Sequence, residues 1–96
     1  MVLVGKRVQT NAEGWLPDLT EPGTFGCATH PRIKNTFGGW WNVCAPDGSV
    51  VELNPSKHTV AEHEDGSISV YPSIVTKTWH GWLVAGIWSE TRQFTH

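Results

Sequence analysis

The sequence predicts an all-β single domain: a twisted antiparallel sheet or small open barrel of hairpins, with a long N-terminal loop packed on it. Three observations carry that expectation. Asp-Gly turns recur between short runs rich in Val, Ile and aromatic residues. Those runs alternate apolar with polar residues, the period of a half-buried strand. The large apolar side chains are chiefly Val and Trp, ten and six, against five Leu and four Ile, a mix that suits strands better than helices. The chain has 96 residues, enough for one domain over 1–96. A domain this small has little volume in which to bury apolar surface. Its six Trp, three Phe and one Tyr compensate, because each aromatic ring buries roughly 150–250 Å².

The elements follow in order. Val2 to Gln9 alternates weakly and is expected to form an edge strand. From Asn11 to Thr36 the prolines and glycines allow no sustained period, so 1–37 is expected to be an edge strand and loop, with one helical turn near Pro17-Asp18-Leu19. Trp15, Phe25 and Phe37 would pin that loop to the sheet. A hairpin meander of 38–96 follows. Its first hairpin is Gly39 to Cys44, the turn Ala45-Pro46-Asp47-Gly48, then Ser49 to Leu53. The second is His58 to His63, the turn Glu64-Asp65-Gly66, then Ser67 to Tyr71. In it Ile68 and Val70 face one way and Ser67, Ser69 and Tyr71 the other. The third is Trp79 to Leu83, Val84-Ala85-Gly86, then Ile87 to Ser89. Proline cannot donate to a ladder, so Pro55 and Pro72 are expected to mark strand ends or edges. About six or seven strands result.

The formal net charge is −2, with Lys and Arg scattered. No basic stripe is present, so no nucleic-acid partner is expected. No apolar stretch reaches the roughly 20 residues of a membrane span. Charges follow a very short apolar run at the N-terminus, the wrong order for a signal peptide. The chain is expected to be soluble and made in a cytoplasm, with its cysteines reduced.

Two metal ligand pairs suggest themselves. Cys27 and His30 have local ligand spacing, and Cys44 would need a distant histidine such as His80. The competing reading makes Cys44 a small buried apolar residue and the histidines hydrogen-bonded or surface groups. No metal is favoured. Glu62, His63, Glu64 and Asp65 form an acid–base cluster on paper, but at a hairpin tip such residues are ordinarily turn chemistry. A phosphate loop, a G-x-S-x-G elbow and a helix able to complete a His-Asn-His nuclease are all missing from the pattern. The chain is therefore not expected to be an enzyme.

The tryptophans allow two readings, core and contact surface. Trp40 and Trp41 are adjacent and must face opposite sides of a strand. Trp82 shares a face with His80, and Trp79 shares the other with Leu83. One tryptophan face is expected to be core. An exposed one would mark a protein interface or a sugar-stacking platform.

Three segments also carry a resemblance: Cys44-Ala45-Pro46-Asp47-Gly48, then Glu64 to Ile74, then Trp79-His80-Gly81-Trp82-Leu83-Val84-Ala85-Gly86-Ile87-Trp88. Together they resemble a family of small proteins of unknown function found in tailed bacteriophages and prophages, over about the last half of the chain. That family's cysteines and histidine imply a zinc-ribbon-like site, in which Cys44 and His80 match ligand positions. Lys77 stands where the family has a cysteine, and Cys44 lacks its neighbouring partner. The resemblance thus implies a framework whose metal has been lost, unless Cys27 and His30 replace the missing pair. It further implies a bacteriophage-encoded protein, made in the host cytoplasm and in one variant carried in the virion. The expected function is binding to a phage structural or host protein, or to another copy of itself, through Trp41 and Trp82 or through the loop around Trp15 and Phe25. A carbohydrate-binding module of an adsorption apparatus and a zinc-stabilised module are the alternatives.

Overall fold

The computed structural model describes residues 2–29, 40–54 and 56–90. Among them are nine short strands and no helix: β1 (Val2–Val4), β2 (Lys6–Arg7), β3 (Thr24–Ala28), β4 (Trp40–Cys44), β5 (Val50–Glu52), β6 (Thr59–Glu62), β7 (Ile68–Val75), β8 (His80–Val84) and β9 (Ile87–Glu90). The fold is all-β, as expected, but it has two sheets rather than one. Five strands lie in the order β1-β9-β8-β7-β6 and four in the order β2-β3-β4-β5. All pairings are antiparallel except β2 with β3. The three hairpins form where the turn residues place them, and Gly48 and Gly66 adopt φ of 90° in the two Asp-Gly turns. The N-terminal edge strand is real but divided: β1 borders the larger sheet and β2 the smaller.

Buried residues from both sheets share one core. Phe25, Val43 and Leu53 of the smaller sheet meet Ile68, Val70, Ile74, Leu83 and Trp88 of the larger. Trp88 is fully buried, and its indole N–H donates to the Gly23 carbonyl at 2.9 Å. Trp79 meets it edge to face, with ring centres 5.4 Å apart and planes at 72°. Gly81 makes that contact possible. A Cβ there would run into the Trp79 ring on one side and the Ser89 carbonyl on the other.

Three expectations fail for physical reasons. The first is the loop over 11–36, which contains β3, all five of whose residues are buried. Core covers one face of β3, and on the other Leu16 lies against Gly26, so Thr24-Phe25-Gly26-Cys27-Ala28 has no reason to alternate. Residues 15–20 are irregular, without the helical turn expected near Pro17. The last failure is at Pro72, which does not end its strand. β7 continues through it, past a register shift between Val70 and Ile74 where no ladder donor is needed. The Tyr71–Pro72 peptide is cis.

Two polar contacts tie the sheets together at their rims. Asp47, in the β4–β5 turn, accepts hydrogen bonds from Thr76 and Thr78 in the β7–β8 connection, both at 2.6 Å, and from the Ser49 backbone at 3.0 Å. The Thr76 and Thr78 hydroxyls, with Ser49, hold the Asp47 carboxyl well below its ordinary range. Thr76 Oγ1 also accepts from the Trp79 backbone N–H at 3.0 Å, so the same contact positions the ring that covers Gly81. Arg7 donates to Glu62 at 2.7 Å and to the Gly66 carbonyl at 3.1 Å, with its guanidinium 5.2 Å from the Trp41 ring centre.

Gly81→Ala is expected to cost about 3 kcal/mol of folding stability in urea denaturation, since neither the ladder carbonyl nor the packed indole can move aside. A variant within about 0.5 kcal/mol of the parent would refute the close-approach account. Asp47→Ala is expected to lower Tm in a pH-dependent way. The folded carboxyl is depressed, so its contribution is complete above the unfolded value of about 3.9 and is lost as pH falls toward the folded one. The Tm gap between parent and variant should hold steady above about pH 5 and narrow below about pH 4 in calorimetric scans.

Candidate functional site

Alternation along four paired strands builds an apolar face on the outside of the larger sheet. Val2, Trp82 and Ser89 are cross-strand neighbours, as are Val4, Ile87 and Val84. The intervening row, Leu3, Trp88 and Leu83, points the other way into the core. Val75 pairs with His80 and extends the outer row across β7, and Tyr71, within the register shift of the same strand, pairs with Thr59 of β6. Among the described residues, seven of the nine exposed large apolar side chains are these: Val2, Val4, Tyr71, Val75, Trp82, Val84 and Ile87. Val2, Val4 and Val75 are each about two-thirds exposed or more. Arg7 and Asp65 border the face at its Val4 and Ile87 end. Together they present on the order of 600 Å² of surface, at the top of what a monomer's largest apolar patch usually reaches.

Of the residues expected to form a contact surface, Trp82 sits at the centre of this face. Trp41 does not join it. It lies on β4 in the other sheet, packed against the core and stacked under Arg7. Phe25 is 2% exposed and belongs to the core, because β3 is a central strand rather than loop. Trp15 is exposed but stands on the smaller sheet's side of the molecule, so the four residues form no common surface. The outward Val and Ile positions carry only a faint signal in the sequence, the i, i+2 spacing of Val2/Val4 and Trp82/Val84. That spacing identifies a face, and only the register reveals that nothing among the described residues covers it.

The metal candidates are likewise apart. Cys27 pairs with Trp41 on the inner side of the smaller sheet, whereas Cys44 lies on the opposite side of β4. His80 is on the other sheet, its Nε2 2.9 Å from Ser73 Oγ. His30 lies outside the described residues, as does Phe37. Among the described residues no three His, Cys, Asp or Glu side chains converge as a ligand set. Burial pushes both thiols above their ordinary 9.0. For Cys27 nearby Arg7 offsets part of that, and for Cys44 the Asp47 charge adds to it.

The hairpin-tip cluster is taken up by local structure. Glu62 pairs with Arg7, and Asp65 accepts from the Ser67 hydroxyl and backbone at 2.6 and 2.9 Å. Those bonds, the hydroxyl first, lower its pKa. His63 Nε2 lies 2.7 Å from Ser69 Oγ, a geometry that superficially suggests an activated nucleophile. Ser69 is 2% exposed, and its oxygen also accepts from the Ala85 backbone at 2.8 Å. The pair secures the β8–β9 turn to β7.

No family model matches the chain, and no solved structure does. Two uncharacterized proteins from strains of Mycobacterium tuberculosis, MT2160 and Rv2100, are each 35% identical to it over 68 residues. The matched region is 69% of this chain but spans only 11% of the length of these curated relatives.

Burial and raised thiol pKa values should make both cysteines slow to react. In the native protein at pH 8, alkylation by iodoacetamide is expected to run at least about a hundredfold slower than in urea, with Cys44 slower than Cys27. Complete labelling of the native protein within minutes would contradict the placement of both side chains.

Proposed function

We propose that the chain is a protein-binding module whose contact surface is the outer face of the larger sheet, centred on Trp82. The observation that carries this reading is the clustering of seven exposed apolar side chains on one side of one sheet, with Arg7 and Asp65 reaching only its Val4 and Ile87 end. Water penalises such a surface, and covering it with an apolar partner surface recovers that free energy. Its size approaches the roughly 800 Å² that each partner contributes to a standard interface. A central Trp ringed by aliphatic residues is the composition of a binding hot spot. The relatives support the reading indirectly: a stretch matched as 11% of much longer chains has the character of a module with neighbours. The resemblance to a phage family makes the partner a virion component or a host protein acted on during infection.

The test places a photo-crosslinking residue at position 82 and identifies the captured protein by mass spectrometry from phage-infected cells. The complex is then rebuilt from purified components. Trp82→Asp combined with Val84→Asp is expected to weaken it at least about a hundredfold, the loss of a hot spot, while leaving Tm close to that of the parent. Failure to rebuild any complex, or a complex indifferent to both substitutions, would sink the proposal.

A further inference from the structure

A second feature lies on the opposite side of the molecule. On the side of the smaller sheet turned away from the core, Ala28 pairs with Trp40, and Asn42 stands between Gly26 and Glu52. Small residues thus form a floor beside a large aromatic wall. The segment before β3 supplies the facing wall, with Leu16 lying against Gly26 and Trp15 next to it. The open groove between them has a volume of about 400 Å³ and is lined by Trp15, Leu16, Ala28, Trp40, Asn42 and Glu52.

Trp15 is held in an unusual way for a residue that remains 42% exposed. Asn11 Oδ1 accepts from the backbone N–H groups of Glu13 at 2.9 Å and Trp15 at 3.0 Å. Asn11 N donates back to the Trp15 carbonyl at 2.9 Å, and Gly14 N donates to the Asn11 carbonyl at 3.0 Å. Thr29 N then fastens the turn to the end of β3 by donating to the Gly14 carbonyl at 2.8 Å. The backbone that carries this indole is therefore fixed before any ligand arrives, which lowers the ordering cost of binding.

The lining chemistry selects the ligand. An indole offers a flat apolar surface, and the C–H face of a pyranose ring is its complement. Asn42 can both donate and accept, and the Glu52 carboxylate accepts, so the two together match a rim of hydroxyls. No Lys or Arg lines the groove, and a carboxylate does, which disfavours phosphates, uronic acids and other anions. The volume falls in the lower part of the range for small-molecule sites, room for one or two sugar rings. We propose that the groove between Trp15 and Trp40 binds a neutral saccharide, with Trp15 as the stacking platform and Asn42 and Glu52 as hydroxyl partners. This site lies on the other sheet from the Trp82 face and does not depend on what covers that face.

The test titrates the purified protein with cellobiose, maltose and N,N′-diacetylchitobiose, following tryptophan fluorescence and amide chemical shifts. Saturable binding of at least one sugar is expected, with shifts at Trp15, Trp40, Asn42 and Glu52. Trp15→Ala is expected to weaken it about tenfold or more, and Glu52→Gln about threefold, each judged against an unchanged Tm. Glu52→Gln keeps the claim testable if loss of the indole disturbs the turn. The proposal is overturned if none of the three saturates by about 20 mM, a concentration that would detect even feeble binding. It is equally overturned if Trp15→Ala binds as well as the parent, or if only a proline-rich peptide moves those resonances.

Discussion

The fully buried Trp88, its indole N–H bonded to the carbonyl of Gly23, is the contact on which the rest of the structure depends. It joins the second strand from one edge of the larger sheet to the segment that leads into the smaller sheet's central β3. An indole buried without a partner for its N–H would be costly, and a core of this size has few other large side chains to replace it. Trp79 closes over Trp88 only because position 81 lacks a side chain, and Trp79 is in turn fixed by Thr76, which reaches Asp47 across the sheet boundary. A chain of short contacts thus runs from the centre of the core to the rim, and each link sets the geometry of the next.

The exposed apolar face is a consequence of the same register. Strand residues alternate, so sending Leu3, Trp88 and Leu83 inward sends Val4, Ile87, Val84 and Trp82 outward. Nothing about folding requires those outward positions to be apolar. Polar residues there would keep the core intact and improve solubility, which is why their being Val, Ile and Trp speaks for a role beyond stability. The smaller sheet solves the same problem differently. Its outer side is covered in part by the chain's own 10–19 segment, through Leu16, and what stays open is a groove rather than a plain.

Much of this was legible in the sequence, and the boundary of legibility has physical reasons. Asp47-Gly48 and Asp65-Gly66 announced their turns because positive φ restricts residue choice locally. The alternation of Ile68, Ser69 and Val70 announced a half-buried strand. The opposition of Trp79 and Trp82 followed from parity alone. β3 stayed hidden because a strand covered on both sides carries no alternation, and Pro72 misled because a register shift across the sheet, invisible locally, excuses it from donating. The place of Trp41 depends on Arg7, 34 positions earlier, and on a second sheet whose existence no local pattern reveals. The Cys and His residues looked like a ligand set in one dimension, but Cys27 and Cys44 fall on opposite sides of one sheet.

The strand order has a consequence for biosynthesis. β9, the last described strand, is not an edge: β1, the first, pairs with it and with no other strand of that sheet. Trp88 also lies on β9. A ribosome extruding this polypeptide therefore releases β1 with nothing to pair with, and the main core ring is missing until residue 90 has cleared the exit tunnel. This sheet must wait for β9 to emerge before it closes its most distant contact, the kind of topology that folds slowly and exposes apolar segments in the interval. For such a molecule the nascent state, more than the finished one, is where a chaperone or an early partner would have the greatest influence.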